Sequence, residues 1–147
     1  MTTAKNFFSE VQKQMIADAI TDAERNTSGE IRVHVENECK QDVLECAVSS
    51  FEKLEMHKTQ LRNGVLFYLS IKDHKFAIIG DEGINSIVPK DFWNKIKEHL
   101  LKKFKEHLFT EGLCEGIAMA GEQLKAHFPL NENDINELSN EITFENE

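Results

Sequence analysis

Gly64-Val-Leu-Phe-Tyr-Leu-Ser-Ile-Lys-Asp-His-Lys-Phe-Ala-Ile-Ile79 holds two runs of strand-forming residues separated by one polar turn. The run from Gly64 to Ile71 is almost unbroken in its apolar character, as expected of a strand covered on both faces. Lys72-Asp-His-Lys75 is too short for anything but a tight reversal, so Phe76-Ala-Ile-Ile79 returns antiparallel as the second arm of a hairpin. Gly80-Asp-Glu-Gly83 ends it. Upstream, Glu30-Ile-Arg-Val-His-Val-Glu36 alternates strictly, with Ile31, Val33 and Val35 on one side and Arg32, His34 and Glu36 on the other. That pattern predicts a strand with one wetter face, near a sheet edge. Between these strands Asp42 and Glu45 can cap a helix in which Val43, Ala47, Val48, Phe51 and Leu54 keep helical spacing. Strand, helix and strand form a βαβ unit, which requires parallel strands and a right-handed crossover.

The flanks are helical. Apolar residues from Phe8 to Ala23 recur at three- and four-residue steps, predicting an amphipathic helix over about Ser9 to Arg25. Ser9 with Gln12 forms a capping-box pattern, and Asn26-Thr-Ser-Gly29 supplies the stop. Two helices follow the hairpin. One begins after Pro89 and buries Phe92, Trp93, Ile96, Leu100 and Phe104; the other begins near Thr110, buries Leu113, Ile117, Ala120, Leu124 and Phe128, and stops at Pro129. Gly112 and Gly116 on the latter suit close packing against a neighbour. The predicted order is α-β-α-β-β-α-α, an α/β fold with a small mixed sheet.

At 147 residues the chain is one domain's worth, with residues 1–130 as the domain and 131–147 as an acidic, partly disordered tail. The spacing of Ile135, Leu138 and Ile142 suggests a short docked helix in that tail. The formal charge of −9 opposes the attraction to phosphate that dominates nucleic-acid binding, so nucleic acid is not an expected partner. Six of the nine excess negative charges belong to the tail (Glu132, Asp134, Glu137, Glu141, Glu145, Glu147). Neither a secretory-signal pattern at the start nor an apolar run long enough to span a bilayer is present, predicting a cytoplasmic protein without a membrane partner. Cys39, Cys46 and Cys114 are odd in number and form no C-x-x-C pair, so they are expected as reduced, mostly buried thiols.

The connectivity predicts a site. The starts of the two parallel strands lie at one end of the sheet, and the hairpin brings the end of the third strand back to it. Three polar loops meet there: Glu24-Arg-Asn-Thr-Ser-Gly-Glu30, Arg62-Asn-Gly64 and Gly80-Asp-Glu-Gly83. They carry Glu24, Glu30, Asp81 and Glu82, with further oxygens from Thr27, Ser28 and Asn63. Crowded carboxylates repel one another unless a cation sits among them, and Ca²⁺ or Mg²⁺ prefers oxygen ligands. The same residues also allow Glu24 and Glu30 to pair with Arg25 or Arg62, the glycines merely serving turns. At the other end of the sheet, Asn37-Glu-Cys-Lys-Gln-Asp42 leads into a helix N-terminus that could hold a phosphate.

Other chemistry is missing. There is no G-x-S-x-G elbow, Walker loop or H-E-x-x-H, and no Cys with Arg six residues later. The six histidines form no metal-spaced pair with a cysteine or with one another, which disfavours zinc. Lys95, Lys97, Lys102, Lys103 and Lys105 interleave with Glu98 and Glu106 as on a solvated helix face.

The chain resembles the TPM-domain family, a module shared by thylakoid-lumen photosystem-repair proteins and many bacterial proteins. The resemblance rests on Ala23-Glu24 with Thr27-Ser-Gly-Glu-Ile-Arg-Val33, Leu54-Glu-Met56 with Thr59, Arg62-Asn-Gly-Val-Leu-Phe-Tyr68 and Phe76-Ala-Ile-Ile-Gly-Asp-Glu-Gly-Ile84. It continues through Asp91-Phe-Trp93, Glu111-Gly112, Gly116-Ile117 and Gly121, covering about residues 7–129. It implies a three-layer α/β/α fold, divalent-cation binding and, for some members, acid-phosphatase-like hydrolysis. The expectation is a monomer binding Ca²⁺ or Mg²⁺ through Glu24, Glu30, Asp81 and Glu82, with Asp81 and Arg62 as catalytic residues acting on small phosphate compounds, nucleotides among them. The alternative is a non-enzymatic cation-binding or protein-interaction module.

Overall fold

Hydrophobic periodicity and capping set the elements. The computed structural model describes residues 3–130 and 140–144. Helices α1 (Ala4–Phe7) and α2 (Glu10–Glu24) precede strand β1 (Glu30–Glu36); α3 (Val43–Lys53) and a single 3-10 turn (Met56–Lys58) lead to β2 (Gly64–Ser70) and β3 (Lys75–Gly80). Then come α4 (Glu82–Asn85), α5 (Phe92–Lys105), α6 (Phe109–His127) and β4 (Thr143–Phe144). The expected capping box opens α2: Gln12 N–H donates to Ser9 Oγ at 3.1 Å, and Ser9 N–H to Gln12 Oε1 at 2.9 Å.

The sheet runs β3-β2-β1-β4. Strands β1 and β2 are parallel, with Glu30 opposite Gly64 and Glu36 opposite Ser70, and β3 returns antiparallel with Gly80 opposite Val65. Because side chains alternate along a strand, the sheet separates two cores. Ile31, Val33, Val35, Val65, Phe67 and Leu69 face a large core under α2, α5 and α6. Leu66, Tyr68 and Ala77 face a smaller one under α3, formed with Cys46, Ala47, Phe51 and Met56. This is the expected three-layer α/β/α arrangement. Close helix approach explains the glycines of α6: a Cβ at Gly112 would stand 2.9 Å from Lys103 Cβ of α5, and one at Gly121 2.8 Å from Ala23 Cβ of α2. The apolar stripe of α2 is buried at Ile16 and Ile20, whereas Val11 and Met15, at its N-terminal end, are exposed.

Two features differ from expectation. A fourth strand lies beyond β1, which keeps its expected place near the sheet edge: Thr143 and Phe144 pair with it in parallel, opposite His34 and Val35. Ile142 and Phe144 alternate into the large core, and Thr143 Oγ1 lies 2.7 Å from His34 Nδ1. Ile142 thus belongs to a period-two pattern rather than a helical one; Ile135 and Leu138 lie outside the described residues. Second, Cys39 and Cys46 are joined in a disulfide, leaving Cys114 as the free thiol. The bond closes the loop that leads from β1 into α3, a pairing that seven-residue spacing does not announce. Among the described residues no helix is long and apolar enough to cross a membrane.

Two outcomes are expected. Without reductant the unfolded chain titrates one thiol, and with reductant three; breaking the Cys39–Cys46 bond lowers the unfolding free energy in urea by about 2–3 kcal/mol, the loop-closure entropy of so short a ring. Phe144→Ala costs about 3 kcal/mol in the same assay, since it empties a filled position in the core beside β1.

Candidate functional site

The β1–β2 register draws the three loops together. Glu30 N–H donates to Asn63 O at 3.4 Å, Asp81 N–H to Gly64 O at 2.9 Å and Gly83 N–H to Arg62 O at 2.9 Å. The last bond leaves no room for a side chain, because a Cβ at Gly83 would fall 2.2 Å from Leu61 O. Arg62 takes a left-handed backbone, φ 52°, which turns its guanidinium back over the third loop. Thr27 pins the first loop to the end of α6: its hydroxyl donates to Phe128 O, as does Ser28 N–H at 2.9 Å. The Thr27 oxygen is therefore committed to the fold. Ser28 Oγ stands 3.5 Å from Asn63 Nδ2, joining the first and second loops.

The four predicted carboxylates share this end of the sheet as two pairs. Glu24, the last residue of α2, accepts Ile31 N–H at 2.7 Å and lies close enough to Glu30 to feel its charge. Burial pushes the Glu24 carboxyl up to about 8; the Ile31 N–H opposes this and the Glu30 charge adds to it. Glu30 itself is only 2% exposed. Asp81, also buried, caps α4 by accepting Glu82 N–H at 2.7 Å and binds Arg62 bidentately at 2.8 and 2.9 Å. Glu82 Oε1 lies 3.2 Å from the same guanidinium. Arg62 is thus the counter-charge of the second pair, while Arg25 points to Asp22 at 2.9 Å. Among the described residues no group of three His, Cys, Asp or Glu side chains is placed to hold a metal ion. A cation here would complete its shell with backbone carbonyls, hydroxyls or water.

Beside the second pair runs a groove of about 440 Å³, lined by Val48, Phe51 and Glu52 of α3, His57, Arg62, Ile79, Gly80 and Asp81. His57 and Glu52 escape sequence reasoning. After α3 ends, Glu55 takes a left-handed backbone (φ 59°) and starts the 3-10 turn that carries His57 into the groove wall. His57 Nδ1 is buried with no hydrogen-bond partner among the described residues. In the sequence, only the polar run His57-Lys-Thr-Gln60, which breaks the helical spacing after Leu54, marks the place. At the opposite end of the sheet, Asp42 itself caps α3, accepting Leu44 N–H at 3.2 Å, so a carboxylate already occupies that helix N-terminus.

These features define an α/β domain with a small mixed sheet and a polar loop cluster at the start of its parallel strands. The family model described as TPM domain matches residues 1–123, and the chain belongs to this family. The BA42 protein of the psychrophilic bacterium Bizionia argentinensis, solved by NMR, is 43% identical and superposes with a TM-score of 0.90 over 98% of this chain and 99% of that one. The N-terminal domain of a P. gingivalis protein (16% identity, TM-score 0.67, 82% of this chain and 78% of that one) shares the fold. So does that of a Corynebacterium glutamicum protein (10%, 0.66, 90% and 82%). No curated protein matches the chain.

The raised Glu24 carboxyl makes stability depend on pH with a definite sign. In the unfolded chain it ionises near 4.5, in the folded chain near 8. Between these values the folded protein retains a proton that the unfolded chain has released, so rising pH destabilises the fold through this window. With a chelator present, the stability of the wild type relative to Glu24→Gln falls by about 1–3 kcal/mol between about pH 5 and pH 8, read from urea midpoints.

Proposed function

We propose that this domain binds a hard divalent cation, Ca²⁺ or Mg²⁺, at the loop cluster and hydrolyses small phosphate compounds, nucleotides among them. The observation that carries the reading is the half-buried Glu24 beside the buried Glu30, a pair in which one carboxyl stays protonated at neutral pH unless positive charge is brought to it. The pair's chemistry fits the group: two carboxylates with the Ser28 and Asn63 side chains close by present only hard oxygen and amide donors. Glu24 and Glu30 would hold the cation, with Asp81 and Glu82 adding negative charge at the same end of the sheet. When bound, the cation supplies Lewis-acid polarisation of a phosphoryl oxygen. The chain's own contribution is charge and position. Arg62, 40% exposed and opening on the groove, can shift from Asp81 toward a phosphate and steady the charge that develops there. His57, on the same wall, can hold or release a proton at its ring. Asp81 orients Arg62 through two hydrogen bonds. The name of the family model, which speaks of a phosphatase, supports the same reaction class.

The bidentate Arg62–Asp81 bond favours a second reading, a cation-binding module without turnover, since it ties up both residues assigned to catalysis. The Cys39–Cys46 disulfide supports an oxidising compartment rather than the cytoplasm.

Phosphate release from nucleotides and aryl phosphates, measured on protein freed of contaminating phosphatase, separates the readings. The proposal expects release that depends on Ca²⁺ or Mg²⁺, with kcat/KM reduced about a hundredfold in Arg62→Ala. Saturable cation-induced amide shifts at residues 24–30 and 62–64 without turnover leave the second reading. No saturable shift removes both.

A further inference from the structure

We infer that the cavity at the opposite end of the sheet, between the β2–β3 turn and the α5–α6 junction, binds a small amphiphilic anion, a carboxylate on a short acyl or aryl body. This site is distinct from the loop cluster and does not depend on the function proposed for it. The cavity measures about 550 Å³, within the range of small-molecule sites, and adjoins the C-terminal end of β2, where open α/β sheets commonly take ligands.

Its walls are apolar and held in place. Phe7, Leu69, Ile71, Leu101, Phe104 and Phe109 come from four separate segments of the chain: α1, the end of β2, α5 and α6. The rings interlock edge-on or tilted, with centroids 5.1 Å apart for Phe7 and Phe109 and 5.3 Å for Phe104 and Phe109. Leu101 is 48% exposed, apolar surface that a ligand body would cover.

The rim has one sign of charge. Lys72, Lys75 and Lys105 stand around the opening with His74 and His107, and no carboxylate among the described residues lines it, in a chain whose net charge is −9. The ammonium groups of Lys72, Lys75 and Lys105 form no ion pair among the described residues. Asp73, the carboxylate within the rim turn, accepts Ser70 Oγ–H at 2.5 Å and Cys39 N–H at 2.6 Å, and its charge is also felt by Lys75 and His74. Glu111 lies in an adjoining groove beyond Phe7 and Phe109. His74 and His107, with φ of 52° and 61°, are two of the four described non-glycine residues with left-handed backbone, and both stand on this rim. An apolar body inside and a negative head at the rim complement this geometry; a neutral apolar molecule would leave the ammonium groups of Lys72 and Lys105 unanswered.

The test is a titration of the full, isotopically labelled chain with monomeric octanoate, followed by amide NMR, beside 1-octanol as the neutral counterpart. Saturable shifts confined to residues 69–75 and 101–109 are expected, with octanol binding about tenfold more weakly. The double variant Lys72→Glu, Lys105→Glu should weaken octanoate about tenfold and leave octanol binding and the urea midpoint unchanged, since both side chains are exposed. Absence of saturable shifts, equal binding of octanoate and octanol, or shifts of the same size around Arg62 would each overturn the inference. So would sedimentation with phosphatidylglycerol vesicles by a protein that ignores octanoate, which would make the rim a lipid-surface contact.

Discussion

The parallel pairing of β1 with β2 is the constraint on which the remaining structure depends. Its register sets Glu30 opposite Gly64, and this single alignment brings loops from three distant parts of the chain to one end of the sheet. The pairing is held by burial rather than by any one contact, because every residue of β2 is buried and its two faces serve two separate cores. A slip of one residue would exchange those faces, placing Leu66 and Tyr68 where Phe67 and Leu69 now pack. The polar end of the domain is therefore fixed by its apolar middle.

At that end the protein solves the same electrostatic problem in two ways. Asp81 and Glu82 are answered internally by Arg62, whose left-handed backbone folds its side chain back onto them. Glu24 is answered by burial, which keeps its carboxyl protonated at neutral pH against the opposing pull of the Ile31 N–H. The first arrangement is complete as it stands, whereas the second changes state when positive charge arrives. A divalent cation would bring two positive charges to a chain of formal net charge −9 and release the proton held at Glu24.

Much of this was legible in the sequence. Strict alternation in Glu30–Glu36, the apolar run of β2 and the four-residue turn before Phe76 specify the βαβ unit and hairpin, and connectivity then specifies which loops converge. The division of the four carboxylates into two pairs was not legible, since it depends on side-chain direction: Glu24 turns toward β1, while Asp81 turns back to cap α4. The two-residue strand at Thr143 and Phe144 was hidden because an Ile142/Phe144 alternation this short, in an acidic segment, is indistinguishable from chance. The Cys39–Cys46 bond follows from the shape of the loop before α3, which no spacing rule encodes. The amphiphilic cavity was beyond sequence reasoning altogether, being assembled from residues as distant as Phe7 and Phe109.

The central claim is that Glu24 is a carboxyl waiting for positive charge. It is tested most directly by following the Glu24 side-chain carboxyl carbon by NMR as pH is varied, first with chelator and then with saturating Ca²⁺ or Mg²⁺. The account predicts a midpoint near 8 without metal and one below the ordinary 4.5 with it. A metal-free midpoint near 4.5, or one that the cations do not move, would contradict it.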